Sequence, residues 1–415
     1  MKKSLVVIFV LLLCVFSFAA KELVLWHSYS TTSGEYKVLT EKVIPDFEKT
    51  HPGVKIVETQ VSSDEMRKRL VVSTASQDFP DLMRMDIIWV PQFGNIDVLM
   101  KLDKEFPAEF NKMKDEFLEG PLSTCKWDGN YYGLPLDTNT RVLLWNKKLF
   151  NEAGLSHPPR TMDEFFEDIK LLTKDNDGDG EIDQWGFADS GLGPWNSIPW
   201  IYSAGGEILN SDNNTAEGHV NSKQSVAILN EYKELYDEGC ISDIVTGSGG
   251  IGALEGYAEN IYAMVISGPW GHSIIKGQYP DAEINYALMP AGENGSRSVV
   301  GGEDIVMFQS TKYKQEAFEF MKYITSYDVQ LEFAKVGQMP VLKSIADDPF
   351  IRNHDYFGIY MQQLKTAVAR SPHPAWNEIE DSIATAWEDT VIGDYDAKDS
   401  LDSAAEDIED ILSEY

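Results

Sequence analysis

Positively charged residues are scarce in this sequence. Of its 415 residues, 35 are Lys or Arg and 67 are Asp or Glu, so the formal net charge is −32. Nucleic-acid binding depends on Lys and Arg side chains that neutralise phosphates, and an anionic membrane surface repels an acidic chain. We therefore expect no nucleic acid and no anionic membrane surface among the partners of this protein.

Cysteine is also rare, with three in the whole chain. Cys14 lies in an apolar run near the start, so Cys125 and Cys240 are the two that remain beyond it. Two cysteines so far apart in the sequence do not form a disulfide scaffold, and we interpret them as buried small hydrophobic residues. A single bridge between them is the alternative that the sequence leaves open.

Long apolar runs are absent after residue 20. The run over residues 5–16 follows two lysines, is shorter than the ~20 residues that a transmembrane helix needs, and leads into the small-x-small pattern Ser17-Phe18-Ala19. These features predict a signal peptide over residues 1–20 and a soluble mature chain that is exported to the periplasm or another extracytoplasmic location. Lipid attachment at Cys14 is disfavoured because no small residue precedes it.

Catalytic sequence motifs are missing as well. The chain contains no His-Glu-x-x-His, Cys-x-x-Cys or Gly-x-Ser-x-Gly pattern, and its seven histidines are scattered without the spacing of metal ligands. We therefore expect a protein that is not an enzyme, that has no catalytic residues and that requires no cofactor.

Apolar residues are plentiful, at 43% with 11% aromatics, which indicates a folded globular chain. At about 100–200 residues per domain, the length predicts two or three domains. Near the start of the mature chain, strand patterns at residues 23–26, 54–57 and 82–85 alternate with helix patterns at 39–47 and 64–76. This β-α-β-α-β order predicts an α/β fold with a mainly parallel sheet.

Further along, amphipathic stripes predict helices that face a core. Thr161 and Glu164 form a capping box before one helix, Ser222 precedes another, and residues 401–411 form the last. From Glu378 to the end, 14 acidic residues stand against one lysine. We interpret this acidic stretch as a solvated helix face.

Residues 175–183 form a loop rich in Asp and Gly. Its alternating carboxylates and its glycine match most of the first nine positions of a calcium-binding loop. The bidentate glutamate expected at the twelfth position is replaced by Gly186, which removes two ligand oxygens. An acidic turn without a metal is the alternative. The candidate ligands for a structural calcium ion are Asp175, Asp177, Asp179, Glu181 and Asp183.

Ten tryptophans are present, and several lie in loops beside Gly, Pro or polar residues, as in Gly193-Pro194-Trp195 and Gly268-Pro269-Trp270. An indole in such a loop is more typical of a binding platform than of a core residue. Sugars have C–H faces that stack on indoles, and hydroxyl groups that hydrogen-bond to polar side chains. The pattern therefore favours carbohydrate binding.

Short motifs run in order through nearly the whole mature chain. They are Leu25-Trp26-His27-Ser28, His51-Pro52-Gly53-Val54, Phe79-Pro80-Asp81-Leu82, Tyr132-Gly133-Leu134-Pro135, Leu144-Trp145-Asn146-Lys147, Gly268-Pro269-Trp270, Gly301-Gly302 and Met339-Pro340-Val341. In this order the chain resembles the extracytoplasmic solute-binding proteins of ABC importers, in particular the carbohydrate-binding group that includes maltose-binding protein. Trp145 stands where that family usually has Tyr.

The resemblance implies an α/β, type II binding-protein fold, in which two lobes joined by crossing strands at a hinge close on a ligand in the cleft between them. It places lobe 1 at residues 21–134 plus 290–325, and lobe 2 at residues 135–289 plus 326–415. It also implies a sugar ligand and, as partners, the membrane permease subunits of an ABC importer. We expect the protein to be a monomer.

Matched motif by motif, the resemblance also implies which residues contact the ligand. In lobe 1 these are His27, Ser28, Tyr29, Asp86, Trp89, Gly302, Glu303 and Asp304. In lobe 2 they are Asp137, Asn139 and Arg141, with Trp195, Trp270 and Trp376 as stacking platforms.

The leading hypothesis is a carrier that binds a mono- or oligosaccharide, closes, and delivers it to a permease without making or breaking a bond. A secreted glycoside hydrolase is the alternative, because Asp86, Asp137 and Glu303 would supply carboxylates near a stacked sugar. Such an enzyme needs two carboxyl groups about 5–5.5 Å or 6.5–9.5 Å apart that flank the scissile bond. A third hypothesis is a binding protein for a peptide, a polyamine or a metal.

Overall fold

The computed structural model describes residues 20–247 and 250–415, and only the backbone of residues 63, 64, 346 and 355. The predicted signal peptide lies outside the described residues, apart from Ala20. In the described part of the chain, no helix is both long and apolar enough to span a membrane.

The described residues form mixed α/β structure. The strands in chain order are β1 (Lys21–His27), β2 (Val54–Gln60), β3 (Leu82–Asp86), β4 (Lys126–Trp127), β5 (Asn130–Tyr131), β6 (Gly133–Thr140), β7 (Val142–Trp145), β8 (Trp185–Ala188), β9 (Tyr262–Ser267), β10 (Asn285–Ala287), β11 (Val299–Met307) and β12 (Val368–Ala369). The helices are α1 (Gly34–Lys37), α2 (Ile44–Thr50), α3 (Ser63–Ser76), α4 (Trp89–Asn95), α5 (Leu102–Glu105), α6 (Pro107–Met113), α7 (Glu119–Thr124), α8 (Lys147–Glu152), α9 (Met162–Leu172), α10 (Pro194–Ala204), α11 (Lys223–Asp237), α12 (Ala253–Ala258), α13 (Pro269–Gln278), α14 (Lys314–Ile324), α15 (Tyr327–Lys335), α16 (Lys343–Ala346), α17 (Pro349–Arg352), α18 (Asp355–Leu364), α19 (Trp376–Val391) and α20 (Ala397–Ser413).

The first sheet has the strand order β12-β11-β3-β1-β2, with β6 also paired to β11. Strand β1 pairs in parallel with β2 and with β3, and helices separate these strands along the chain. The predicted β-α-β-α-β arrangement is therefore confirmed. Strand β11 runs antiparallel to both β3 and β6, and its register places Glu303 beside Asp86 of β3 and Asp137 of β6.

The second sheet has the order β10-β7-β9-β8. Helix α9 packs against β8, and Phe165 of this helix stacks on Trp200 of α10 with 4.8 Å between the ring centroids. The Thr161 hydroxyl accepts a hydrogen bond from the Glu164 amide at 3.2 Å, which confirms the predicted cap. Phe165 and Ile169 are buried, as expected for a stripe that faces the core.

The C-terminal helices α19 and α20 pack on each other and on α11. Ile383, Leu401 and Ile408 are buried, whereas acidic residues of α20 such as Glu406 and Asp407 are exposed. The interpretation of this acidic stretch as a solvated helix face is therefore confirmed for α20.

The two cysteines of the mature chain are separate. Cys125 and Cys240 are both buried and unbridged. Each thiol has a pKa that is raised chiefly by burial, which keeps it in the neutral, unreactive form. The structure therefore agrees with two buried hydrophobic residues and not with a disulfide bridge.

The chain passes between the two sheets at two neighbouring points. Strand β6 of the first sheet is followed by β7 of the second through Arg141, and β10 of the second is followed by β11 of the first. Ser298, which precedes β11, donates a hydrogen bond from Oγ to the carbonyl oxygen of Arg141 at 2.8 Å. These contacts favour crossings at Arg141 and Ser298, a few residues after the predicted boundaries at 134 and 289.

The segment from α15 to residue 342 contacts elements of the first sheet. Phe333 stacks on Tyr29 with 5.7 Å between the centroids, and Gln330 donates a hydrogen bond to the carbonyl oxygen of Leu136 in β6 at 2.9 Å. Leu342 pairs with Phe117 in an isolated bridge. These contacts favour a first lobe that continues beyond its predicted end at residue 325.

Candidate functional site

Three carboxyl side chains stand side by side where strands of the first sheet meet. In the strand register, Glu303 on β11 lies opposite Asp86 on β3 and opposite Asp137 on β6. Directly opposed residues have Cβ atoms about 4.5–5.5 Å apart, and like charges in such positions destabilise a sheet. We call Asp86, Glu303 and Asp137 the acidic row; it requires positive charge nearby.

Arg84 supplies part of that positive charge. Its Nη2 lies 3.0 Å from Asp137 Oδ2 and 2.7 Å from Glu303 Oε2, and its Nη1 donates a hydrogen bond to Ser28 Oγ at 2.8 Å. The guanidinium carbon is 4.3 Å from the centroid of the Tyr29 ring. The sequence prediction missed Arg84, although a cation in the otherwise apolar start of β3 was a signal for a buried charge partner.

Burial changes the protonation of this cluster. It raises the pKa of Glu303 well above its usual range; Arg84 opposes the shift, and Asp137 and Asp86 add to it. Burial also raises the pKa of Glu35 to about 7, again against the influence of Arg84. Glu303 and Glu35 therefore both depend on the Arg84 guanidinium, and burial favours the protonated form of each.

A second buried cation, Arg370, lies at the other end of the acidic row. Its Nη2 is 2.9 Å from Asp86 Oδ1, and its Nη1 is 3.3 Å from Glu380 Oε1. Its guanidinium carbon is 4.8 Å from the centroid of the Trp195 ring. Arg370 was also missed by the sequence prediction, because it follows the two-residue strand β12 and no motif marks it.

Two tryptophans lie beside this polar cluster, Trp195 next to Arg370 and Trp270 next to Trp195. Trp195 and Trp270 are half-buried, and their ring centroids are 6.1 Å apart at an interplanar angle of 41°. Each follows a Gly-Pro pair, and the proline occupies the first turn of α10 or α13, a position at which its fixed φ favours helix initiation. The same local sequence therefore places both indoles at helix N-termini, with part of each ring uncovered.

The Trp195 ring lies directly against β11. A Cβ added at Gly301 would be 2.2 Å from Trp195 Cη2 and 2.3 Å from Asn139 Oδ1, so this position has room only for glycine. Asn139 Nδ2 in turn lies 3.4 Å from Asp137 Oδ1 and from Glu303 Oε2. Asn139 therefore joins the acidic row to the aromatic side of the site.

Arg141 positions the Trp195 segment through its backbone. It pairs with Asp189 at 3.0 Å and donates hydrogen bonds to the carbonyl oxygens of Trp195 at 3.1 Å and Ile266 at 2.6 Å, and to the Asn196 side chain. The residue is 2% exposed. Arg141 was predicted as a ligand contact. In the structure it is buried and instead holds the backbone of Trp195 in place.

Three further predicted contacts have their polar groups bound to protein partners. His27 is fully buried, with Nε2 2.9 Å from Glu58, and Tyr29 is buried with its ring on Arg84 and its hydroxyl donating to Gln338. Asp304 accepts a hydrogen bond from the Thr124 hydroxyl at 3.2 Å, on the opposite face from Glu303, because successive residues of a strand point to opposite faces. We remove these three residues from the candidate contacts.

Two predicted aromatic contacts are also enclosed. Trp376 is 1% exposed and Trp89 is 6% exposed; their Nε1 atoms donate to Glu380 at 2.7 Å and to Asn377 at 3.0 Å. A stacking platform needs an uncovered ring face, and Trp376 has none. Gly302, with φ of 147°, acts through its backbone, where its carbonyl accepts from the Ile87 amide. Of the predicted residues, the structure thus brings together Ser28, Asp86, Asp137, Asn139, Trp195, Trp270 and Glu303.

Contacts at the rim hold the two halves of the molecule together. At one end, the Gly34 amide donates to Ser273 Oγ of α13 at 3.0 Å, and Gln278 donates to the Thr32 hydroxyl at 3.0 Å. At another, Arg67 of α3 forms a bidentate ion pair with Asp381 of α19, in which Nη1 lies 2.9 Å from Oδ1 and Nη2 lies 2.5 Å from Oδ2. The cluster is therefore enclosed between the halves.

A surface cavity of about 560 Å³ lies elsewhere, beside Asn146, Tyr257 and Asn285. Lys147, Lys148, Asp281 and Glu283 also line it, so charges of both signs are mixed there, and its lining includes no residue of the acidic row and neither Trp195 nor Trp270. Its size alone does not make it a better candidate than the enclosed cluster of matched charges and indoles.

The acidic loop is distant from this cluster along the chain. Oxygen atoms of Asp175, Asp177 and Asp183 lie within 4.8 Å of one another and could hold a cation, whereas Asp179 and Glu181 are not in this group. Asp175 accepts hydrogen bonds from the amides of Gly178 and Gly180, which lower its pKa. The loop is therefore built around Asp175, and three of the five predicted calcium ligands come together.

Known proteins resemble this chain over most of its length. A binding protein of Brucella abortus is 28% identical over 392 residues, which cover 92% of this chain and 91% of that protein. The galactooligosaccharide-binding protein of Bacillus subtilis is 25% identical and covers 93% and 88%. An ABC transporter solute-binding protein of Thermotoga lettingae, solved with α-D-tagatose, is 25% identical with a TM-score of 0.85 and covers 95% and 100%.

The likeness in structure confirms the predicted two-lobed, type II binding-protein fold. The family model described as the bacterial extracellular solute-binding protein matches residues 29–331. This chain therefore belongs to the family of bacterial extracellular solute-binding proteins.

Proposed function

We propose that this protein is the sugar-binding component of an ABC importer, which captures a mono- or oligosaccharide outside the cytoplasmic membrane and delivers it to permease subunits. The observation that carries the proposal is a half-buried pair of indoles beside the acidic row. Trp195 lies against Gly301 and the guanidinium of Arg370, and Trp270 lies next to Trp195. The names of the Bacillus and Thermotoga relatives support a carbohydrate ligand.

The chemistry of the cluster suits a neutral polyhydroxylated ligand. Indole faces stack on C–H surfaces, and the carboxylate of Asp86, whose side chain is 33% exposed, accepts hydrogen bonds from hydroxyl groups. Arg84 and Arg370 are already bound to carboxylates at both ends of the row, so no guanidinium is left uncompensated to attract an anion. Neutral sugars are therefore favoured over phosphorylated ones.

The carboxyl geometry favours a carrier over a glycoside hydrolase. Oxygens of Asp137 and Glu303 both contact Nη2 of Arg84, so these two groups lie next to each other on one wall. A hydrolase needs its carboxyl groups on the two sides of the scissile bond. We infer that the sugar is released unchanged.

The partners and the location follow from the same proposal. A signal peptide over residues 1–20 would export the chain, in agreement with a family that is extracellular. We propose that the mature protein is a monomer that closes on its sugar and presents both lobes to the permease. We also keep a structural calcium ion at Asp175, Asp177 and Asp183 as a proposal; no cofactor is required for binding.

A thermal-shift screen of the mature protein tests the function. D-tagatose, maltotriose, a galacto-oligosaccharide and other neutral sugars form one arm, and peptides, polyamines and divalent metals form the other. We expect a sugar to raise the melting temperature by stabilising the closed form, and chromatography to recover that sugar intact. A shift with a non-sugar ligand alone, or cleavage of an oligosaccharide, would overturn the proposal.

A further inference from the structure

The acidic row contains more carboxyl groups than cations. Asp137 and Glu303 share one nitrogen of Arg84, while Arg370 is divided between Asp86 and Glu380. Two guanidinium groups therefore serve four carboxyl groups. Because burying an uncompensated charge is strongly unfavourable, this arrangement is more stable when a proton replaces one of the two missing cations.

The proton belongs between Asp137 and Glu303. These residues face each other across the β6–β11 pair, and both use an oxygen to contact Arg84 Nη2. Asn139 Nδ2 lies 3.4 Å from an oxygen of each. Arg84 and the Asn139 amide nitrogen only donate hydrogen bonds, so neither can accept a proton from this pair, and a proton held there can bond only to oxygens of Asp137 and Glu303.

We propose that Asp137 and Glu303 share one proton, and that Glu303 presents it to the bound sugar as a hydrogen-bond donor. The donor role rests on the proposed function, whereas the shared proton does not. The side chain of Glu303 is 18% exposed and that of Asp137 is 3% exposed, so Glu303 is the member of the pair with access to the cleft. Protonated, it can both donate and accept, which a carboxylate cannot do.

The groups around Glu303 determine how this donor responds to pH. They are Arg84 and Asp86 on β3, Asp137 on β6, Tyr29 after β1 and Glu35 on α1. Burial first, and then the neighbouring acids, raise the pKa of Glu303 against the influence of Arg84. A carboxyl group with a raised pKa keeps its proton at neutral pH and loses it as pH rises. The donor is therefore lost on the alkaline side.

Infrared difference spectroscopy of the sugar-free protein tests the shared proton. Wild type minus Glu303→Gln should show the carbonyl band of a protonated carboxyl group at neutral pH, and this band should disappear on titration to alkaline pH. Asp304→Asn is the matched control: it is the next residue on β11, it is also buried with a raised pKa, and its side chain points to the other face. It should remove a different band. No Glu303-dependent band would overturn the proposal. If Glu303→Gln does not fold, Asp137→Asn removes the same shared proton from the other partner.

Calorimetry against pH tests the donor role, with D-tagatose, maltotriose and a galacto-oligosaccharide as probes. The wild type and Asp304→Asn should lose about tenfold in affinity once the pH is high enough to remove the Glu303-dependent infrared band, the effect of one lost donor. Glu303→Gln keeps an amide donor and should lose less than about twofold. Identical pH profiles for wild type and Glu303→Gln would overturn the donor role. If the Glu303-dependent infrared band is present but no sugar binds, the proposed function is overturned and the shared proton is still supported.

Discussion

Gly301 is the point of contact between β11 and the Trp195 ring, and we predict that Gly301→Ala weakens sugar binding. The added Cβ would lie 2.2 Å from Trp195 Cη2 and 2.3 Å from Asn139 Oδ1, both far inside normal contact distances. Overpacking of this kind costs about 1–3 kcal/mol. Trp195 opens α10 of the second lobe and Gly301 lies in the first sheet, so the contact joins the two lobes, and we expect the clash to arise when they close.

Only the closed form encloses the ligand. The free-energy cost of the clash therefore raises the dissociation constant for the sugar. We expect the Kd to rise by about 5- to 150-fold, the equivalent of 1–3 kcal/mol, as measured by isothermal titration calorimetry with the sugar found in the screen. Gly252→Ala is the control variant, because nothing lies within 4 Å of a Cβ added there and its φ of −55° suits any residue. It should bind like the wild type.

One result would refute this reasoning. If Gly301→Ala lowers the melting temperature but leaves the Kd unchanged, Trp195 lies on Gly301 whether or not the lobes have closed. The background Trp195→Leu offers a second check. The smaller, flexible side chain can move away from the new methyl group, so Gly301→Ala should have a smaller effect there, and equal effects in both backgrounds would point to Asn139 as the residue that is disturbed.

Three other predictions follow from the structure. Trp270→Ala should weaken sugar binding by more than about tenfold, or ~1.4 kcal/mol, with little change in melting temperature; unchanged affinity by calorimetry would exclude Trp270 as a platform. Calcium should raise the melting temperature of the wild type by a few degrees and leave Asp175→Asn unaffected; equal shifts would make the acidic loop an ordinary turn. Burial raises the pKa of Glu35 from 4.5 to about 7, so the folded protein keeps a proton that the unfolded chain releases. Stability should therefore fall by about 3 kcal/mol as pH rises through this range, and denaturant titrations of Glu35→Gln should lack that slope.

Features that depend on neighbouring residues could be predicted from the sequence. The parallel strands β1, β2 and β3 follow from alternating strand and helix patterns close together in the chain. The positions of Trp195 and Trp270 follow from two identical Gly-Pro-Trp segments, each of which starts a helix. In both cases the local structure is determined by a few consecutive residues.

Asp86, Asp137 and Glu303 were each predicted near the ligand, but their alignment into the acidic row could not be predicted, because it depends on strand register. Nothing near Glu303 in the sequence indicates that Asp86 and Asp137 will stand opposite it, since register is fixed by packing over whole strands. The same limit explains Asp304: a motif match places it near the cleft, and the alternation of the strand then turns its side chain to the other face. Trp376 was mistaken for a platform because its burial depends on how α19 packs.

Arg141 links the hinge to the binding surface. The backbone of this residue receives the Ser298 hydrogen bond at the crossing between the lobes, and its guanidinium binds Asp189, the Trp195 carbonyl and the Ile266 carbonyl. The Trp195 segment is therefore ordered when the protein folds, before any sugar arrives. The Trp195 ring therefore loses little conformational entropy when the sugar binds. The second lobe can close as one rigid body in which the stacking surface is already formed.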